Sequence, residues 1–419
     1  MTKSKEQQYL RLDTIFSLGF KEEEFRELSN KPNSTKDYYK LNPEYAICKY
    51  KNDYTLPNLE GRTVEARKGS YHMLKLVDFI NLFNKGKVSP TSIFKKKYNH
   101  YRGQSLNRSS VIVWMYGAGF GDILFVQGVI RHLKHEYPNC VFSIAVAKHQ
   151  MEFAKSFGTF NNVYPTPMPA EAFVEHEYHI CFDHLLRSED GKTINAYKLY
   201  REQINAPFIQ DFDLYPNIPV LPERKHYINR LFKTHMTGVE LNKYIVLQLS
   251  TSTRTRNPRI DFRLKLLNRL IADYGDKYKI VFTDTTARRD DIDFLMQKSD
   301  NPSKCRSFVN YNRDILDTVA LLGQAALVVS VDTGLIHIGT AVGTPVYGIY
   351  GPFPGEIRLS TYPDCKWIEP KSEKLTCNPC CRHDWDLCEH AEHEYPVCYD
   401  YLDMNRISDD VGDLLKIGK

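Results

Sequence analysis

The sequence has no run of 18 or more consecutive apolar residues, which excludes a membrane-spanning helix, for which about 20 are needed. Its first residues, MTKSKEQQYLRLD, lack the apolar stretch of an export signal, so a cytoplasmic location is expected. Net charge is small, at +5, and no internal sequence repeat appears beyond a repetition of architecture. Cysteine is not scarce, with ten in the chain, but the missing export signal argues against a disulfide framework. Five of the ten fall within residues 377–398, a clustering that needs its own explanation.

What is present is a globular mixture of 419 residues, 42% hydrophobic and 26% charged, enough for about two to three domains of roughly 150 residues. Charge is unevenly spread. Residues 1–110 hold 21 Lys and Arg against 12 Asp and Glu, and the remainder holds 35 against 39. A basic first quarter suits an acidic partner such as nucleic acid, an anionic glycolipid or a membrane surface; the alternative is a solvated, solubilising face.

Residues 1–109 are rich in Lys, Tyr and Asn, carry helical patterns such as KEEEFREL and YHMLKLVDFINLFNKG, and show no nucleotide-binding signature. They read as a basic accessory region ending near FKKKYNHYRGQSLNR. At Ser110 the character changes. VIVWMY (111–116) is a β-branched apolar run suited to a buried parallel strand, GAGFGD is a turn, and ILFVQGVIRHLKHEYP has helical spacing up to Pro138. VFSIAVA (141–147) completes a βαβ unit. Residues 110–225 thus read as an N-terminal Rossmann-like domain, with a proline-rich linker near 216–240. Residues 240–400 repeat the alternation in YIVLQLS, FRLKLLNRLIADYG, YKIVFTD, ALVVSVD, TGLIHIGTAVG and TPVYGIYG, and residues 401–419 read as a C-terminal helix. The expected class is α/β, two Rossmann-like domains facing a cleft behind an N-terminal accessory region.

Three segments carry chemistry. In Gly117-Ala118-Gly119-Phe120-Gly121-Asp122, glycines let the backbone turn tightly and approach a ligand at a helix N-terminus, Gly119 and Gly121 being the candidates. Asp122 either caps that helix or takes a proton from an incoming hydroxyl. In Ser330-Val331-Asp332-Thr333-Gly334-Leu335-Ile336-His337, a strand ending in DTG puts the Thr333 hydroxyl and the Thr333 and Gly334 amides at a helix N-terminus, a ready phosphate site. His337 follows Thr333 at i,i+4, within reach of a diphosphate. The loop Ser250-Thr251-Ser252-Thr253-Arg254-Thr255-Arg256-Asn257-Pro258-Arg259 offers hydroxyls and arginines that clamp phosphate oxygens, or else is an exposed basic loop. Asp284, at the end of the next strand, is placed to bond a ribose hydroxyl.

GFGDILFVQGVIRHLKHEYP and VDTGLIHIGTAVGTPVYGIYGPFPGE together resemble the two signature segments of the heptosyltransferase-like glycosyltransferases of family 9, in the right order and over about residues 110–400. The segment YRGQSLNRSSVIV also resembles phage-encoded relatives, which would place the protein in a host cytoplasm. The family resemblance implies a GT-B fold, a nucleotide sugar held mainly by the second domain, inversion at the sugar carbon without a catalytic metal, and domain closure over the reaction. It makes Asp122 the general base and has Thr333, Gly334 and His337 hold the donor diphosphate; Asp332, Ser250, Thr251, Arg254, Arg256 and Asp284 are further donor-binding candidates from the residues themselves. The family's lysine after the first strand of the second domain is absent here, where Arg254, Arg256 and Arg259 stand instead.

Cys377, Cys380, Cys388 and Cys398, with His383, His390 and His393 interleaved, suit a structural tetrahedral Zn or Fe site; the alternative is a set of reduced thiols. Relatives that modify autotransporter proteins have an iron-binding cysteine finger in a comparable place. The expected acceptor is polyanionic, a phosphorylated glycan, a lipopolysaccharide or hydroxymethylated DNA. Two other classes compete: a non-catalytic nucleotide-sugar binding module and a zinc-finger DNA-binding protein. The second ranks last because no basic helix follows the cysteines.

Overall fold

The computed structural model describes residues 45–57, 63–90, 99–183, 185–187, 190–205, 215–371, 375, 377–381, 388, 390 and 395–417. The KEEEFREL pattern, residues 94–98 of the basic stretch, His383 and His393 lie outside the described residues. The chain forms two compact units. One comprises Met1–Ala118, Val129–Ser188 and Leu199–Ile209, the other Gly119–Gly128, Glu189–Lys198 and Gln210–Lys419.

The chain runs through β1 (Tyr45–Tyr50), β2 (Tyr54–Pro57), β3 (Thr63–Ala66), β4 (Tyr71–Lys75), α1 (Leu76–Asn84) and β5 (Val88–Pro90). It continues through β6 (Ser110–Trp114), α2 (Phe120–Glu136), β7 (Val141–Ala147), α3 (Met151–Ser156), β8 (Asn162–Thr166), β9 (Met168–Pro169), α4 (Ala170–Glu175), β10 (Tyr178–Cys181) and α5 (Ala196–Ile204). In the first unit β6, β7, β8 and β10 make a parallel sheet ordered β10-β6-β7-β8. The sheet β5-β1-β4-β9 is antiparallel and mixes residues from both sides of that alternation. One core joins them: Tyr45 and Met73 pack with Ile112, Trp114 and Phe173.

The helical reading of YHMLKLVDFINLFNKG holds only for its second part. Tyr71–Lys75 pairs with β1, Ile47 opposite Met73, before α1 begins. Apolar residues at 73 and 74 continue the helical spacing of α1, but a long-range antiparallel partner decides the backbone instead.

The second unit continues with α6 (Pro222–Thr234), β11 (Tyr244–Gln248), α7 (Ile260–Tyr274), β12 (Lys279–Phe282), α8 (Arg289–Lys298), β13 (Cys305–Ser307) and α9 (Ile315–Leu322). After these come β14 (Leu327–Val331), α10 (Gly334–Ala341), β15 (Val346–Ile349), α11 (Glu356–Leu359), β16 (Cys365–Ile368) and α12 (Met404–Ile417). The stretch read as a linker contains α6. Pro222 starts that helix, where a missing N–H costs nothing, and Ile228, Leu231 and Phe232 are buried. Arg224 also bonds Asp317 at 2.8 Å and Asp314 at 2.9 Å.

Six parallel strands follow the order β13-β12-β11-β14-β15-β16. Every residue of β11 and β14 is buried, which is why YIVLQ and LVVSV read as unbroken apolar runs rather than alternating ones. The order reverses direction between β11 and β14, and in such sheets ligands bind beyond the carboxyl ends of the strands at that point. Gln248 with the following loop, and Asp332 with Thr333, stand at those two ends. α12 turns Ile407, Val411, Leu414 and Leu415 into the core of this unit. Among the described residues no helix is long and apolar enough to cross a membrane.

Candidate functional site

The turn after β6 needs glycine twice for different reasons. Gly117 has φ +73°, a left-handed conformation that side chains disfavour. Gly121 needs room. A Cβ there would lie 2.7 Å from His337 Cδ2 and 3.6 Å from Gly334 Cα. The two segments singled out as signatures therefore touch directly, within the second unit, which holds Gly119–Gly128 as well as the DTG segment.

Asp122 is at the third position of α2, and its Oδ2 accepts from the Gly119 N–H at 2.7 Å. This is the reciprocal half of a capping box. The carboxylate is half-buried, and this contact holds it in one orientation.

His337 is enclosed, with 5% of its surface exposed. Its Nδ1 lies 2.8 Å from the Tyr362 hydroxyl, which in turn lies 2.8 Å from that of Tyr197. The Phe125 ring stands edge-on at 4.8 Å. Burial pushes the imidazole down to about 4; the Asp332 charge works against that shift and the Arg358 charge adds to it. At neutral pH His337 is thus an uncharged hydrogen-bonding group.

Thr333 caps α10, accepting from Leu335 N at 3.2 Å and donating to Gln248 Oε1 at 2.6 Å. The Thr333 hydroxyl is thus engaged within the protein, at the N-terminus of α10 where the sequence places the Thr333 and Gly334 amides. Ser330 Oγ completes this cluster, 3.1 Å from Thr333 Oγ1 and 3.3 Å from Gln248 Oε1.

In the loop after β11, Arg256 reaches the DTG segment. Arg256 Nη1 lies 3.2 Å from Asp332 O and 3.5 Å from its Oδ2, while Nε bonds Thr253 Oγ1 at 3.0 Å. Arg254 is exposed, and Arg259 faces Asp400 and Asp261 at 3.5 and 3.7 Å. From behind, the Tyr399 hydroxyl donates to Arg256 O at 2.7 Å. Thr251 is turned into its own loop, its N–H donating to Asn257 Oδ1 at 2.6 Å. Ser250 donates to Asp284 Oδ2 at 2.6 Å, and burial raises the Asp284 carboxyl against the pull of that bond. Tyr197, Tyr362, Phe125 and Gln248 escaped the sequence reading, because single tyrosines, phenylalanines and glutamines in amphipathic elements look like core.

The cysteines form no disulfide. Cys398 is buried, which raises its thiol, and the neighbouring Cys380, Cys388 and Cys377 raise it further, so the four sulfurs share one neighbourhood. The donor types suit Zn or Fe. Among the described residues, however, no group of three or more His, Cys, Asp and Glu side chains is arranged to hold a metal ion.

Residues 312–366 match glycosyltransferase family 9 (heptosyltransferase). No curated protein matches the sequence. Among solved structures, a glycosyl transferase family 9 protein from Veillonella parvula is 11% identical, with a TM-score of 0.58 over 75% of this chain and 99% of that one. The ADP-heptose LPS heptosyltransferase II of E. coli is 12% identical, with a TM-score of 0.54 over 73% and 98%. The iron-containing dodecameric glycosyltransferase TibC from enterotoxigenic E. coli is 9% identical, with a TM-score of 0.51 over 90% and 97%. At such identities the likeness is one of fold.

Proposed function

We propose that this chain, a glycosyltransferase by its family 9 segment and its GT-B fold, moves a sugar from a nucleoside-diphosphate sugar to an acceptor hydroxyl with inversion at the sugar carbon. One observation carries the reading: the turn bearing Asp122 is packed against His337 and the start of α10, bringing a carboxylate and a helix N-terminus into one unit. In this reading Asp122 takes the acceptor proton as the new C–O bond forms. The bond from the sugar carbon to the diphosphate breaks, and its electron pair leaves on the phosphate oxygen. Positive potential from Arg256 and the N-terminus of α10 stabilises that developing charge, and neutral His337 donates a hydrogen bond to it.

Gly119 and Gly121 serve by letting the turn approach; Ser250, Thr251 and Asp284 shape the loop end toward the nucleoside. Arg254, exposed on the same loop, is kept as a lesser donor contact. ADP-heptose, named for the E. coli heptosyltransferase II, is the first donor to try. The basic first quarter supports a polyanionic acceptor. The four cysteines are proposed to hold structural Zn or Fe, supported by their donor chemistry and shared neighbourhood; no step of the transfer runs through that metal.

The test is a panel of ADP-, GDP-, UDP- and CDP-sugars, read by thermal stabilisation and by sugar release, with Asp122→Ala and His337→Ala beside wild type. Stabilisation by one nucleotide, weakened in His337→Ala and kept in Asp122→Ala while turnover disappears, is the expected pattern. No stabilisation by any donor, or full turnover in Asp122→Ala, refutes it.

A further inference from the structure

Arg358 lies in α11, four residues before the Tyr362 that bonds His337, and the roles above leave it without a purpose. The residue is 6% exposed, and its Nη1 is fully buried without a hydrogen-bond partner. Among the described residues no carboxylate comes within ion-pair distance of its guanidinium. The short helix is firmly seated: Leu359 packs against Gly348, the Leu359 carbonyl accepts from Tyr362 N at 2.9 Å, and Arg358 N bonds Gly355 O at 3.0 Å. The charge is felt at His337 and at Tyr350, whose protonation it biases.

A buried guanidinium without a counter-ion is costly, and an arriving anion that pairs with it relieves that cost. Arginine presents a planar fork that matches two phosphate oxygens. The neighbouring charges narrow the choice. Asp332 pairs with Arg256, and no ion pair joins it to Arg358. We infer that Arg358 is an anion-binding residue for a phosphoryl group, approached beside His337. Identifying that group as the diphosphate of the sugar donor rests on the function proposed above; the anion site itself does not.

The experiment uses the full chain, with inorganic pyrophosphate as the probe and sodium chloride of equal ionic strength as the control. Wild type is expected to gain several degrees in melting temperature. Arg358→Met, which fills the same space without charge, is expected to melt no lower than wild type in chloride and to bind pyrophosphate about tenfold or more weakly. An undiminished pyrophosphate response in Arg358→Met overturns the inference, as does a wild type that pyrophosphate does not stabilise. If the methionine variant does not fold, Arg358→Lys decides. It keeps the charge but loses the fork, so pyrophosphate affinity must fall several-fold, and unchanged affinity overturns the assignment. Sugar transfer is measured separately. A protein that binds pyrophosphate through Arg358 yet transfers no sugar sinks the proposed reaction and leaves this site standing. Transfer with a donor KM indifferent to Arg358→Lys does the reverse for the donor assignment.

Discussion

Replacing Gly121 by alanine tests whether the two signature segments depend on each other. The added methyl carbon would sit 2.7 Å from His337 Cδ2 and 3.5 Å from its Nε2, closer than carbon atoms approach without displacement. The imidazole cannot swing aside cheaply, since the Tyr362 hydroxyl holds one edge at 2.8 Å and Phe125 stands against the ring. Overpacking of this kind costs about 1–3 kcal/mol. Alanine returns part of that, up to about 1 kcal/mol, through helix propensity and a less free unfolded chain. The net expectation is a loss of about 1–2 kcal/mol in chemical denaturation, with weakened donor binding. The decisive comparison is a double-mutant cycle with His337→Ala, whose shortened side chain leaves space for the methyl group. In that background Gly121→Ala should be neutral or slightly stabilising, giving a coupling energy of about 1–3 kcal/mol. Equal costs of Gly121→Ala in both backgrounds would refute the contact as the cause.

Three further outcomes follow from the same residues. Asp122→Asn keeps an acceptor for the Gly119 N–H but cannot take a proton, so stability should change by less than about 1 kcal/mol while turnover falls about a hundredfold or more; parallel loss of both would make Asp122 a cap only. Burial lowers His337 to about 4 in the folded chain, below the roughly 6.5 of an unfolded one, so the folded state binds fewer protons and stability must drop as pH falls from about 6.5 to 4. The contribution is on the order of 3 kcal/mol, and a stability-against-pH curve for His337→Gln should be flatter over that window; an identical curve excludes it. Metal analysis of the purified protein should find about one Zn or Fe per chain, lost in Cys380→Ser, whereas metal-free protein with full activity would leave the cysteines as plain thiols.

Strand and helix positions in the second unit were legible because a parallel sheet covered on both faces demands unbroken apolar runs, and YIVLQ and LVVSV are such runs. The site was legible where chemistry is local, as in the DTG segment opening a helix. It was illegible where pairing spans the chain. Tyr197 and Tyr362 share a hydrogen bond across 165 residues of separation, and neither has a local pattern that announces it. The three loop arginines are equivalent on paper; only the short helical turn Arg254–Arg256, with Thr253 holding Nε, directs Arg256 toward Asp332. Likewise, nothing in the text of residues 71–75 announces the partner strand that overrides their helical spacing.

The Tyr399 hydroxyl grips the backbone of Arg256 while its ring borders Gly351, and the next residue upstream is Cys398. The backbone beside Cys398 and the arginine loop are therefore tied to each other through Tyr399. Anyone exchanging residues 377–401 with those of a relative would also be replacing the back support of the arginine loop. A graft that respects this coupling must bring residues 250–259 with it, or keep Tyr399 in place.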